Sequence, residues 1–339
     1  MRGLSFRQSF TGHACSIVAR AALAFAVVPM IGGFGQSSAA VVPASAASAS
    51  HGAVAVPPAS PDATQWFLPV HRAPHEGPRA YALVIHGLNL KPSRMNSIVR
   101  VLQLAGIETL RLSLQGHDEE GTAVFKQVTR DRWLTQIREA YAEIWQKAEG
   151  HPGTPVWGVG YSLGGLLLED FVNQPQRNPR DELPRNSAGL PLPHFDRFVL
   201  FAPALSVRDT SYLVRIFEIF GGSFVVPSFG KLGYRAHDGT PVAAYRALFQ
   251  SLAHTRASHL SLSHFPTLVI TQAEDELVST AGLHELAAQE HLQEWKFLEV
   301  SDSASRLEHK LHHLIIDSDC LGATEWQRVV DALDAPFGV

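Results

Sequence analysis

The stretch that decides the fold lies at residues 156–172 and reads VWGVGYSLGGLLLEDFV. Its apolar first part predicts a buried strand up to Ser162, and the strand continues without a linker into an apolar helix. Gly160 and Gly164 stand two residues before and two residues after the serine, in the G-x-S-x-G order of a nucleophile elbow. Because they are small, the two glycines allow a tight turn that lifts the serine hydroxyl above a sheet, and Tyr161 is expected to help shape the site. The stretch therefore predicts that Ser162 is a nucleophile.

Outward from this turn, short apolar runs alternate with longer amphipathic ones, which is typical of a mostly parallel sheet covered by helices. The predicted strands are residues 80–87, 108–114, 156–162, 196–203, 267–273 and 296–301. Helices are predicted at 97–106 and 130–150, the second with apolar residues at helical spacing. The sequence thus predicts an α/β fold with a central sheet flanked by helices.

Between Pro203 and Phe265 this alternation lapses into aromatic, Gly-rich and helical segments. We expect an insertion at about 204–263 that forms a helical lid over the carboxyl ends of the strands. Its aromatic side chains are most simply the lid's own core, although some of them could line a substrate pocket. They are Tyr212, Phe217, Phe220, Phe224 and Phe229.

The first forty residues differ in composition from the rest. They contain three arginines and no acidic residue, followed by an apolar run at 21–31 and by small residues up to Ala40. This order predicts a signal peptide at 1–40 and export to the periplasm or the medium, and Pro29 makes an uncleaved anchor the weaker interpretation. Residues 41–63, rich in Ala, Ser and Pro, are predicted to be a flexible leader, and 64–339 the folded domain.

Composition limits the possible partners. The 339 residues are 45% hydrophobic and 18% charged, with a formal net charge of −4, so the chain offers no basic field for nucleic acid. A neutral small molecule is the expected substrate, and no stable membrane insertion is expected once the signal is removed. Cys15 would leave with the signal and Cys320 would remain alone, which excludes an internal disulfide. The oligomeric state stays open.

These motifs resemble the α/β-hydrolase superfamily over roughly residues 66–335, and within it the monoacylglycerol lipase and lysophospholipase-type esterases. LVIHGLN at 83–89 is similar to their His-Gly turn, and LSLQGHDEEG at 112–121 to their next strand with Gly-His. The resemblance implies an oxyanion hole formed by the backbone amides of Leu88 and Leu163. It also implies that His86 and Gly87 shape the loop, and that His117 is a structural residue beside the site.

The same resemblance implies the order serine, acid, histidine along the chain. Asp275, followed three residues later by Val278, fits the family pattern for the acid, and Glu274 and Glu276 are expected to be solvated loop charges. The turn EHKLHHLIID at 308–317 offers three histidines. His312 is favoured because Leu314 and Asp317 follow it at the family spacing, while His313 and His309 remain open alternatives.

The predicted function is cleavage of a carboxylic ester by Ser162, Asp275 and His312, without a cofactor. A zinc site at the His-rich turn is disfavoured, because neither an H-E-x-x-H motif nor a cysteine pair accompanies it. Peptidase, thioesterase and acyltransferase chemistry could use the same triad. A non-catalytic binding relative is less favoured, since every position of the triad is filled.

Overall fold

The computed structural model describes residues 60–70, 77–118, 121–173, 195–228, 230–257, 265–307 and 311–334. The predicted signal peptide and most of the predicted leader lie outside these residues. The strands, in chain order, are β1 (Gln65–Phe67), β2 (Ala80–Ile85), β3 (Ile107–Leu112), β4 (Val156–Tyr161), β5 (Arg197–Phe201), β6 (Val225–Pro227), β7 (Gly239–Pro241), β8 (Thr267–Thr271) and β9 (Trp295–Glu299).

Seven of these strands form one sheet in the order β1-β3-β2-β4-β5-β8-β9. All neighbours run parallel except β1, which pairs antiparallel with β3 at one edge. The predicted mostly parallel sheet is confirmed, and its six predicted strands end within two residues of the observed ones. Strand β1 and the β6–β7 hairpin are not predicted, because three-residue strands are too short to carry a readable pattern.

Helices cover both faces of the sheet, which explains why β2, β3 and β4 are buried along their whole length. Leu83 faces a core shared with five of the helices, whereas the adjacent Val84 faces a second core shared with the other three. The helices are α1 (Asn96–Leu104), α2 (Thr122–Phe125), α3 (Arg130–Glu149), α4 (Leu163–Val172), α5 (Val242–Ala257), α6 (Thr280–Gln289), α7 (Ser318–Leu321) and α8 (Ala323–Asp334). Helices α2 to α6 share the first core; α1, α7 and α8 share the second.

The best predicted helix is α3. The Thr129 hydroxyl caps its first turn by accepting a hydrogen bond from the Arg132 amide. Its core-facing side chains recur at the predicted spacing, and they include Trp133, Ile137 and Tyr141. These side chains fix α3 against the sheet beside α4, the helix that begins directly after Ser162.

The segment between β5 and β8 departs from strict alternation, as predicted. It contains a 3-10 helix at Asp209–Phe220, the β6–β7 hairpin and α5. Helix α5 packs against α4 and contributes Ala244 and Ala247 to the first core, so the last part of the predicted insertion lies on the flank of the sheet. Phe224 stacks on both Phe217 and Phe220, and Phe220 is still exposed. That this segment acts as a lid stays a prediction, and Phe229 lies outside the described residues.

Cys320 lies in α7, packs in the second core and is 1% exposed. Its sulfur is 3.6 Å from the Tyr234 hydroxyl, and burial raises the pKa of the thiol. The Asp317 side chain caps α7 by accepting hydrogen bonds from the amides of Asp319 and Cys320. Across the described ranges, no helix is both long enough and apolar enough to cross a bilayer.

Candidate active site

Ser162 occupies the sharp turn between β4 and α4. Its backbone has φ 52° and ψ −112°, a left-handed conformation that is costly for a residue with a side chain. Two backbone hydrogen bonds hold it there, from the Ser162 amide to the Phe201 carbonyl and from the Ala204 amide to the Ser162 carbonyl. A Cβ on Gly164 would lie 2.2 Å from the Ile85 carbonyl oxygen, so only glycine fits at this position. The predicted elbow is therefore present.

A histidine and an aspartate complete a hydrogen-bonded line that starts at this serine. The Nε2 atom of His313 lies 2.8 Å from the Ser162 Oγ atom. On the far side of the ring, His313 Nδ1 lies 2.7 Å from Asp275 Oδ2. All three side chains are less than a tenth exposed. This is the geometry in which an imidazole removes a proton from a hydroxyl while a carboxylate fixes its tautomer.

The histidine at this position is His313, so the prediction of His312 is wrong. His312 turns the other way, with its Nδ1 atom 2.6 Å from Asp302 Oδ2 and 3.3 Å from the amide nitrogen of Gln272. Successive residues of a turn project in different directions, so a shift of one residue replaces one ring by the other. The third candidate, His309, lies outside the described residues.

The spacing that favoured His312 has another origin. Asp317, the acid five residues after it, caps α7 and accepts a hydrogen bond of 2.8 Å from the Tyr234 hydroxyl. Leu314 is buried in the second core. Both residues therefore serve the packing of the segment that follows the histidines, and neither determines which imidazole faces the serine.

Asp275 is held as an anion despite being 2% exposed. Burial by itself raises the pKa of this carboxyl, but the neighbouring His313 and the backbone amides of Val278 and Leu277 outweigh burial and lower the pKa below its usual range. Both amides donate to Oδ1 at 2.8 Å, which leaves Oδ2 for the imidazole. The Arg208 side chain donates to the Asp275 carbonyl at 2.5 Å and fixes the loop from outside.

The predicted oxyanion donors are the amides of Leu88 and Leu163. Leu163 is the first residue of α4, so its amide is one of the unpaired donors at a helix start. Neither amide donates a hydrogen bond to any residue that the structure describes. A Cβ on Gly87 would lie 3.2 Å from the Ser162 Cβ atom, which shows how closely the Leu88 loop approaches the nucleophile. Leu163 follows Ser162 directly and Leu88 follows Gly87, so the oxyanion role of the two amides stays a prediction.

His86 and His117 orient this loop, in agreement with the structural role predicted for them. His86 Nε2 accepts a hydrogen bond from the Leu114 amide at 3.0 Å, and its Nδ1 donates to the Gly87 carbonyl at 2.8 Å. His117 Nε2 accepts from the Asn89 amide at 3.0 Å. Burial lowers the pKa of His86 to about 4 and that of His117 well below its usual value, so both rings stay neutral.

Two residues contact the backbone of His313. The Tyr161 hydroxyl donates to the His313 carbonyl at 3.0 Å, and burial raises the pKa of this phenol well above its usual value, so it remains a donor. On the other side, the Glu276 carboxylate accepts the amides of both His312 and His313. The expectation that Glu276 is a solvated charge is therefore wrong. No feature of the sequence marks it, because its partners are backbone atoms 36 and 37 residues away.

One group of side chains has the composition of a metal site. Ligand atoms of Glu274, Asp302 and His312 lie within 4.8 Å of one another. A hydrogen bond between His312 and Asp302 explains why these two side chains lie together, and the Glu274 side chain is 74% exposed. We assign no metal to this group, and the Ser162 site uses none of its members.

Comparisons with known proteins agree with this fold. The family described as serine aminopeptidase, S33 matches residues 76–226. No curated protein sequence matches the chain. Among solved structures, a metagenome-derived lipolytic enzyme aligns with a TM-score of 0.57 at 19% identity, covering 80% of this chain and 96% of that one. The monoacylglycerol lipase of Paleococcus ferrophilus aligns with a TM-score of 0.56 at 14% identity, covering 80% and 97%.

A third similar structure is a soluble variant of the monoglyceride lipase of Saccharomyces cerevisiae in complex with a substrate analogue. It aligns with a TM-score of 0.57 at 12% identity, covering 80% of this chain and 90% of that one. Identities this low establish the fold. That fold is the one of α/β-hydrolase lipases and esterases, and the match of residues 76–226 to the serine aminopeptidase family agrees with it.

Proposed function

We propose that the chain hydrolyses carboxylic esters through an acyl-enzyme formed on Ser162. One observation carries the proposal: a continuous hydrogen-bonded line runs from Ser162 Oγ through His313 to Asp275, with heavy-atom distances of 2.8 and 2.7 Å. A serine hydroxyl is a poor nucleophile until a neighbouring base takes its proton. His313 is the base within reach, and Asp275 holds it in the productive tautomer.

The reaction then follows from these positions. Ser162 Oγ bonds to the ester carbonyl carbon while its proton moves to His313 Nε2, and Asp275 stabilises the imidazolium. When the tetrahedral intermediate collapses, His313 gives the proton to the departing alcohol. Water attacks the acyl-enzyme by the same route and releases the acid. Because the imidazole must be neutral for attack, activity falls in acidic solution.

The negative charge that develops on the carbonyl oxygen needs donors that are already in place. The Leu88 and Leu163 amides are proposed for this role, since Leu163 follows Ser162 directly, Gly87 before Leu88 approaches Ser162, and neither amide has another acceptor among the described residues. The start of α4 adds the positive end of a helix dipole on the same side. Loss of one such donor typically costs about 10²–10³-fold in kcat.

An ester of apolar character is the substrate that we propose. The 3-10 helix at Asp209–Phe220 exposes several large apolar side chains, among them Ile216 and Ile219. Lipases and esterases are also the named activities of the similar structures. A second candidate is peptidase activity, favoured by the name of the matching family.

A matched substrate panel separates the two candidates. Purified protein starting at residue 41 is assayed on p-nitrophenyl esters of increasing acyl length and on amino-acid p-nitroanilides, beside Ser162→Ala. We expect ester turnover that is lost in the variant, and labelling of Ser162 by a fluorophosphonate. Turnover of anilides but not esters would establish the peptidase instead. Ester turnover that survives Ser162→Ala would contradict the proposal.

We propose further that residues 1–40 direct export and are removed. The support is the order of basic, apolar and small residues described above. Expression of the full chain in a bacterial host, followed by fractionation and N-terminal sequencing, tests this. A mature protein beginning near Ala40 or Ala47 outside the cytoplasm is expected. An intact N-terminus in the cytoplasm would contradict it.

A further inference from the structure

Glu276 makes an unusual pair of contacts with the segment that carries His313. One carboxylate oxygen, Oε1, accepts the His312 amide at 3.0 Å, and the other, Oε2, accepts the His313 amide at 3.2 Å. The carboxylate thus holds two successive peptide units, with one oxygen for each. Hydrogen bonds to an ionised acceptor are stronger than those between neutral groups. The backbone on both sides of the His313 Cα atom is fixed by these contacts and by the Tyr161 hydroxyl at its carbonyl.

Asp275 and Glu276 are consecutive, and they hold the same histidine at two places. Asp275 Oδ2 contacts the ring at Nδ1, while Glu276 Oε2 contacts the backbone amide. The loop that carries both acids is itself fixed, because the Asp275 Oδ1 atom accepts the Leu277 and Val278 amides. A rigid loop therefore holds the ring and the backbone together. This leaves the imidazole little freedom to turn away from Ser162.

The neighbouring acid shows that this arrangement is not a general property of the loop. The Glu274 side chain is 74% exposed, and its carboxylate lies 3.9 Å from His312 Nδ1. Two carboxylates in the same turn are therefore used differently. One lies in solvent, and the other replaces water on two amides beside the reacting imidazole.

We propose that Glu276 is a positioning residue for the reaction, which orients His313 toward Ser162 and adds negative charge beside the imidazolium that forms during turnover. The inference rests on the proposed function. The titratable groups facing His313 are Asp275 and Glu276 from the loop after β8, Tyr161 from β4, and the adjoining His312 with its partner Asp302. Of these, Glu276 is the carboxylate that accepts hydrogen bonds from the backbone amides of His312 and His313.

The test compares Glu276→Gln and Glu276→Ala with Glu274→Gln, an exposed control two positions away, by steady-state kinetics on a p-nitrophenyl ester. The amide of Glu276→Gln keeps one acceptor oxygen, so we expect about a 10-fold loss of kcat, against about 100-fold in Glu276→Ala. KM should change less than about 3-fold in both. Glu274→Gln should match the wild type.

The pH profile separates positioning from general structural support. Without the Glu276 charge the imidazolium is less stable, so the acidic limb of kcat/KM should move to lower pH in Glu276→Gln and stay in place in Glu274→Gln. Fluorophosphonate labelling of Ser162 should slow by the same factor as kcat. If Glu276→Ala does not fold, Glu276→Gln decides by the same measurements.

Two outcomes have different meanings. If Ser162→Ala abolishes turnover but the Glu276 variants retain wild-type kcat and an unmoved acidic limb, the inference about Glu276 is wrong and the proposed function stands. If Ser162→Ala retains ester turnover, the proposed function is wrong, and the role proposed for Glu276 in that reaction is wrong with it.

Discussion

His313 and His312 are neighbours in sequence, and the Nδ1 atom of each lies within 2.7 Å of a carboxylate, Asp275 or Asp302. The two pairs differ in what surrounds them. The His313 ring is buried and its other nitrogen reaches Ser162, whereas the His312 side chain is a quarter exposed and is also contacted by Gln272. A histidine–carboxylate contact is therefore not sufficient to mark an active site. The third partner and the burial of the ring distinguish the two pairs.

Removal of each ring in turn should show the largest difference between the two histidines. His313→Ala should lower kcat by about 10⁴-fold or more, because the serine loses its base. His312→Ala should cost less than about 10-fold, since its ring faces Asp302. Ester turnover and fluorophosphonate labelling measure both variants. Equal losses in the two variants would show that the assignment of the base to His313 is wrong.

The carboxylates offer the next test. Asp275→Asn should lower kcat by about 10³–10⁴-fold, since an amide in place of the acid favours the wrong tautomer of His313. Asp302→Asn should leave kcat within about 10-fold of the wild type. Circular dichroism spectra of both variants should match that of the wild type. A larger kinetic loss in Asp302→Asn than in Asp275→Asn would reverse the roles given to the two pairs.

The sequence predicted the parts of this site that depend on local pattern. Ser162 stands in a turn whose glycines are required by close backbone contacts, and Asp275 stands in the turn that follows a buried strand, so both carry a signature in adjacent residues. The choice between His312 and His313 depends on which amides meet Glu276 and which carbonyl meets Tyr161. Those partners are far away along the chain, and no spacing rule can include them.

The parts of the fold that could be predicted are likewise those with a local sequence pattern. Long buried strands and α3 have clear periodicity, so their positions follow from the chain itself. The positions of the two parts of the insertion do not follow from the sequence. Helix α5 packs on α4, while the preceding 3-10 helix has no buried residue among those described. Tertiary packing, which a single sequence does not display, separates them.

Helix α4 contains a second pair of neighbours that differ in their partners. Asp170 is fully buried and receives two hydrogen bonds from Arg130, at 2.6 and 2.7 Å. Asp170→Asn should lower the free energy of unfolding by about 3–5 kcal/mol, because it leaves the Arg130 charge in a site that is nearly closed to water. Urea unfolding at pH 7.5 measures this. A loss below 1 kcal/mol would mean that Arg130 finds another acceptor.

Glu169, the residue before it, is also fully buried, but neither of its carboxylate oxygens has a hydrogen-bond partner within the described ranges. Burial raises the pKa of Glu169 well above its usual value, and the Asp170 charge raises it further. The unfolded chain releases this proton as the pH rises above about 4.3, whereas the folded chain keeps it. Because unfolding then releases a proton, the free energy of unfolding falls with rising pH.

Glu169→Gln removes this dependence. We expect the variant to be more stable than the wild type by about 1–3 kcal/mol at pH 8, with the difference vanishing near pH 4. Urea unfolding at several pH values measures the difference. A variant that is less stable than the wild type at pH 8 would show that the carboxylate has a favourable partner in the folded chain.

The burial of Cys320 provides a chemical reporter of motion near His313. A chain that starts at residue 41 carries this single thiol, which lies in α7, seven residues after His313. Because thiol reagents attack the thiolate, a buried cysteine with a raised pKa reacts only when the surrounding segment opens. The rate at which a maleimide modifies the native protein therefore measures how often this segment detaches from the core. Substrate analogues that hold His313 in place should slow that modification.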